Sequence, residues 1–129
     1  MKNYAESERF TPEDMQYFVV AQVLVEQVPA KCFGEWVRCH ELTRAVAAVM
    51  GLEDQVRDGK CMGVEHSWIE LRVHGTGCVI LDLYAPGRMP QVQLVDVHLM
   101  VNKVYYECPI ALTVRSDELA WIIDILGGN

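Results

Sequence analysis

The chain has 129 residues, 51% of them apolar and 22% charged, which excludes a disordered tail and suits one compact domain burying roughly two thirds of its unfolded surface. Eleven basic against eighteen acidic side chains leave a net charge of −7, and no Lys/Arg cluster marks a phosphate-binding face, so nucleic acid is not an expected partner. No apolar run nears the ~18 to 20 residues of a membrane span, and "MKNYAESERF" lacks the apolar core of a signal peptide. No membrane partner and a cytoplasmic location are the expectations. Five cysteines, Cys32, Cys39, Cys61, Cys78 and Cys108, are odd in number and irregularly spaced, which fits reduced thiols better than a disulfide framework.

"FTPEDMQYFVVAQVLVEQV" predicts the first helix. Thr11 is placed as N-cap, Pro12 at the first helical position, and Asp14 completes a short-chain capping box with Thr11. Met15, Phe18, Ala21, Val25 and Val28 recur at steps of three and four, predicting a stripe that faces the core. "PAKCFG" then interrupts the pattern. A second helix with the stripe Leu42, Val46 and Val49 should end where Gly51 takes the left-handed conformation. Its beginning is open, because "EWVR" is either the preceding loop or the first turn.

Asp58-Gly59 and Gly63 read as a loop, followed by two strands, "HSWIELRV" and "VILDLY", joined around "HGTG". Alternation sorts Ser67, Ile69, Leu71 and Val73 to one face and His66, Trp68, Glu70 and Arg72 to the other. The second strand sorts into Val79, Leu81 and Leu83 against Cys78, Ile80, Asp82 and Tyr84. "APGRMP" turns the chain, "QVQLVDVHLMV" offers a third strand and "VYYE" a fourth. Ser116 is read as the cap of a last helix, "DELAWIIDIL". The expected fold is α+β, with helices packed on a small antiparallel sheet and the whole chain, 1–129, as one domain.

A thiol nucleophile needs a base for its proton and a third group to orient that base. Cys39 near a helix start, His66 opening one strand and Asp82 in the next supply these roles in order. His66 and Asp82 are sixteen residues apart, an even number, so an antiparallel hairpin that sets them opposite each other also sets Ile69 opposite Val79. That register needs a wide turn or a bulge near the two glycines.

The order of Cys at a helix start, "EHSWIEL" and "VILDLY" resembles the transglutaminase-like cysteine fold, relatives of the papain-like thiol proteases. The resemblance covers residues 39 to 84 and implies Cys39 as nucleophile, His66 as base and Asp82 as orienting group. The implied chemistry is acyl transfer, or hydrolysis of a peptide or other amide, through a thioester, with no cofactor. No Gln stands shortly before Cys39 to complete an oxyanion hole; Trp36 or Gln27 is left as candidate second donor. Trp36, His40, Trp68 and Tyr84 are the candidate walls of a substrate cleft.

Other readings compete. Cys39 could be a buried apolar filler, and Cys32 would be the nucleophile if the second helix began at Phe33. A metal site could be drawn from Cys39, His40, Cys61, His66 and Cys78, although no C-x-x-C or H-x-x-x-H spacing supports one. The fold could also serve as a non-catalytic binding or assembly module. Oligomeric state is not legible, beyond an edge strand offered by "VDVHLMVNKVYY".

Overall fold

A computed structural model describes residues 10–75, 77–84, 90–98 and 104–127. Helix α1 (Pro12–Glu26) begins where its sequence sets it. Thr11 accepts the Asp14 N–H at 3.1 Å and the Asp14 carboxylate accepts the Thr11 N–H at 2.8 Å, closing the capping box. Arg72 reaches Asp14 from the sheet at 3.0 Å. Only part of the expected stripe is covered: Ala21 and Val25 are buried, Phe18 and Val28 pack against the core, and Met15 is exposed. An apolar stripe is buried only along the length that a neighbour covers, and α1 contacts chiefly the second helix and one strand.

The interruption "PAKCFG" holds a small hairpin that the sequence reading did not anticipate. Strands β1 (Lys31–Cys32) and β2 (Glu35–Trp36) pair around Phe33 and Gly34, which both have positive φ, 52° and 85°. Two left-handed residues in a two-residue loop match the twist of the flanking strands. Cys32 is therefore a buried strand residue and not the start of a helix.

Helix α2 (Cys39–Met50) settles the question left open by "EWVR": Arg38 is the N-cap and Cys39 the first helical residue. Its end follows the glycine rule. Gly51 has φ 76°, its N–H reaches Ala48 O at 3.3 Å, and the Leu52 N–H reaches Ala47 O at 2.7 Å, the paired bonds of a Schellman motif. Leu42 and Val46 are buried as expected, whereas Val49 is exposed. Leu52, folded back by the motif, is the buried apolar residue at this end.

After a short 3₁₀ turn (Glu53–Gln55) come β3 (Val56–Cys61), β4 (Val64–His74), β5 (Gly77–Asp82), β6 (Gln93–His98) and β7 (Tyr105–Glu107), and then α3 (Ser116–Leu126). The five strands form one antiparallel sheet in the order β6-β5-β4-β3-β7. The α+β class and the third and fourth strands are as expected; most of "APGRMP" and residues 99–103 lie outside the described residues. Asp58-Gly59 is not a loop but the middle of β3. A Cβ on Gly59 would stand 2.1 Å from the Tyr106 carbonyl oxygen, so the glycine marks close approach of β7 and not a turn. Ser116 is the first residue of α3 and not its cap, because Arg115 occupies that position.

The main core joins Leu42, Ala45 and Val46 of α2 to Ile69 and Leu81 of the sheet, Leu83 beyond it, Ala21 and Val25 of α1, and Ile122 and Leu126 of α3. On the other face of β4 and β5 a smaller cluster gathers Trp68, Cys78, Ile80 and Val97, with Tyr105 against it. Among the described residues no helix is long and apolar enough to cross a membrane.

The β4–β5 register departs from the expectation. Ile69 pairs with Leu81 and Glu70 with Ile80, then a bulge at Leu71 shifts the ladder so that Arg72 pairs with Val79 and His74 with Gly77. Continuing this register puts Trp68, not His66, directly opposite Asp82. His66 is the diagonal neighbour on the same face, at a spacing that long side chains can span.

Candidate functional site

Packing of α2 on β4 brings the first turn of the helix to the strand segment that carries His66 and Ser67. The parity expected between His66 and Asp82 survives the shifted register. His66 Nε2 lies 3.0 Å from each Asp82 carboxylate oxygen, and the imidazole is near enough to the Cys39 sulfur for each to favour the other's charged form. Cys39, His66 and Asp82 are thus brought together, all three buried.

Asp82 is 0% exposed and would be costly to bury as an unpartnered anion. Besides His66 it accepts the Tyr84 backbone N–H at 3.0 Å and the Tyr105 hydroxyl at 2.5 Å. Burial and the Asp82 charge push the Tyr105 phenol far up, so it remains a donor. Tyr105 is the participant that sequence reasoning missed: it comes from the short edge strand β7, and no spacing links it to Asp82. Trp68 backs the assembly, stacked with His66 at 6.2 Å between ring centroids and edge-on to Tyr105 at 5.3 Å.

The electrostatics favour an ionised sulfur. Burial opposes the charge on Cys39, but hydrogen bonds and positive charge from His40 and His66 outweigh it and bring the thiol down from 9.0 to about 6. Burial likewise opposes the charge on His66, yet Asp82 and Cys39 raise it from 6.5 to about 9. The pair titrates as a unit, and between these values the thiolate–imidazolium form prevails. Other cysteines move the opposite way. Burial, followed by nearby carboxylates, pushes Cys61 and Cys78 up to about 11, and burial with Glu118 raises Cys32.

The four residues read as cleft walls separate in the structure. Trp36 is 64% exposed on β2, with the Lys31 ammonium 4.8 Å from its ring centroid. Tyr84 is half-buried beyond β5. His40 and Trp68 are buried and so do not face an open cleft: His40 is anchored to Ser67 Oγ at 2.7 Å, and Trp68 belongs to the smaller core. Of the two candidate oxyanion donors, the Gln27 amide is spent on Val23 O at 3.3 Å.

Glu41 has a structural task. It is 0% exposed, takes both ends of the Arg38 guanidinium, and accepts the Arg115 backbone N–H at 2.8 Å. Burial raises the cost of its charge, and Arg38 and Arg115 more than offset it, holding the carboxyl below its usual range. This knot ties the first turn of α2 to the entry of α3. Among the described residues no group of three or more His, Cys, Asp or Glu side chains converges as a metal site. No family model, curated protein or solved structure matches the chain.

Proposed function

We propose that the protein is a thiol-dependent acyltransferase or amide hydrolase with a transglutaminase-like or papain-like core, acting through Cys39, His66 and Asp82 on a peptide or other amide-containing substrate. The observation that carries this reading is the His66 imidazole, held at 3.0 Å by both oxygens of a buried carboxylate and coupled electrostatically to a sulfur at a helix start.

In this mechanism the Cys39 thiolate attacks the acyl carbon. A C–S bond forms and the carbonyl oxygen takes the displaced electron pair, next to the N–H groups at the start of α2. The C–N bond then breaks, and the His66 imidazolium gives its proton to the departing nitrogen. Water or an amine adds to the thioester, His66 takes up the proton released, and the C–S bond breaks to return the thiolate. Asp82 holds the imidazole in one orientation and stabilises its charged form throughout.

Iodoacetamide labelling at neutral pH, read cysteine by cysteine by mass spectrometry, tests the proposal. Cys39 should label faster than the other four thiols, and His66→Ala should abolish the difference. Equal labelling, unmoved by His66→Ala, would sink the catalytic reading and favour a binding module. An activated ester should add one acyl mass to Cys39 and to no other thiol.

A further inference from the structure

Cys39 is flanked by two imidazoles, and the hydrogen-bond network around the second decides what it can do. His40 Nδ1 lies 2.7 Å from Ser67 Oγ and 3.8 Å from Cys39 Sγ. Ser67 Oγ in turn lies 2.5 Å from Asp58 Oδ1 and 3.3 Å from Arg44 Nη1. Arg44 also donates to Asp58 Oδ2 at 2.5 Å and to His40 O at 3.2 Å.

The direction of each bond follows from the inventory of donors. Burial acts against the Asp58 charge, but hydrogen bonds from Arg44 and Ser67 hold its carboxyl below the usual range, so it only accepts. The one hydroxyl proton of Ser67 therefore goes to Asp58. Its oxygen then accepts from Arg44 on one side and from His40 on the other, which fills a hydroxyl's capacity of one donor and two acceptors. His40 must then carry a proton on Nδ1, the atom that also lies 3.8 Å from the sulfur.

We propose that His40 is a second catalytic residue of Cys39, a fixed N–H donor that holds the sulfur as thiolate and never takes its proton, with Ser67, Asp58 and Arg44 as positioning residues that lock its tautomer. The two histidines then have opposite roles. His66, whose Nε2 is held by Asp82, exchanges a proton with sulfur and leaving group, while His40 steadies the negative charge between turnovers. Asp58 and Arg44 also line a groove of about 730 Å³, so the outer end of the relay is partly solvated and its carboxylate keeps its charge. This inference rests on the proposed thiol chemistry and concerns the state of the sulfur, which can be read without a substrate.

The titratable and charged groups that act on or respond to Cys39 are Arg38 and His40 on α2, Cys61 on β3, His66 on β4, and Tyr84 beyond β5. The experiment is the pH dependence of Cys39 alkylation by iodoacetamide in wild type, His40→Leu, His40→Asn and Ser67→Ala, located by peptide mapping. His40→Leu should raise the midpoint by about one pH unit, a roughly tenfold fall in thiolate relative to thiol at fixed pH. His40→Asn, whose amide N–H can occupy the region of Nδ1, should restore most of the shift, and Ser67→Ala should fall between. A wild-type midpoint in His40→Leu, or an Asn variant shifted as far as the Leu variant, overturns the proposal. If the Leu variant does not fold, an unmoved midpoint in Ser67→Ala overturns it equally. A wild-type Cys39 that titrates as an ordinary thiol sinks the acyl-transfer reading and this inference with it, whereas a low wild-type midpoint indifferent to His40 sinks this inference alone.

Discussion

The starts of α1 and α2 solve the same problem in different ways. Both present backbone N–H groups that the helix itself leaves unbonded. At α1 the answer is local: Thr11 and Asp14 satisfy each other within four residues, and Arg72 adds to a cap already closed. At α2 the N-cap is Arg38, which makes no side-chain capping bond, and the first turn is held from other elements. Glu41 is tied to Arg115 before α3, and His40 is hydrogen-bonded to Ser67 on β4. A helix start closed by its own side chains is stable scaffold. One whose order depends on distant elements can present a charged sulfur, because its partners are supplied by the fold and can be proton donors.

Removing a distant partner should therefore disturb α2 far more than removing a local cap disturbs α1. The largest effect is expected for Asp82→Asn, which removes the carboxylate that orients and charges His66: acyl-transfer activity should fall about 10²- to 10⁴-fold. Activity near wild type would show that the His66–Asp82 contact is structural only. The pH dependence comes next. Cys39 is depressed from 9.0 to about 6, so its contribution to stability is complete above 9.0 and disappears as pH falls through about 6. His66 is raised from 6.5 to about 9, so its contribution is complete below 6.5 and disappears as pH rises through about 9. Across pH 6 to 9 the first contribution grows as the second declines, so denaturant unfolding should show nearly level stability over that range, and a steep slope there would count against the coupled pair.

Glu41→Ala should cost about 1.5–3 kcal/mol in the same assay, since it strips charged hydrogen bonds from Arg38 and the Arg115 N–H. It should also loosen Cys39, seen as slower alkylation at neutral pH. The smallest effect is expected at the other helix. Thr11→Ala should cost about 1 kcal/mol, the usual worth of an N-cap side chain, and leave the Cys39 alkylation midpoint where it was. A shifted midpoint would mean that the α1 cap is not local after all.

Some of this contrast could be read from the chain, and some could not. Thr11, Pro12 and Asp14 announce α1, and Gly51 announces the end of α2, because capping chemistry acts within one turn and leaves its residues side by side. Alternation within each strand is equally local, but whether His66 and Asp82 share a face depends on the register, and the bulge at Leu71 is what sets it. The register itself was misread: a bulge at Leu71 compensates the tight turn and makes the pair diagonal, and nothing in "ELRVHG" marks which residue will bulge.

Gly59 shows the same limit from the other side. As a residue type it suggests a turn, yet it lies within a strand because the backbone of β7 passes too close for a side chain. Tyr105 reaches Asp82 across β3 and β4, and Ser67 with Asp58 decides which nitrogen of His40 holds its proton. The sequence by itself determined the three helices in outline, the α+β class and the candidates Cys39, His66 and Asp82, since each rests on periodicity or on side-chain chemistry within a few residues. Only the tertiary structure decided which groups surround those three and in what protonation state, because partners far apart in the chain acquire a distance and a donor direction only once the sheet has closed.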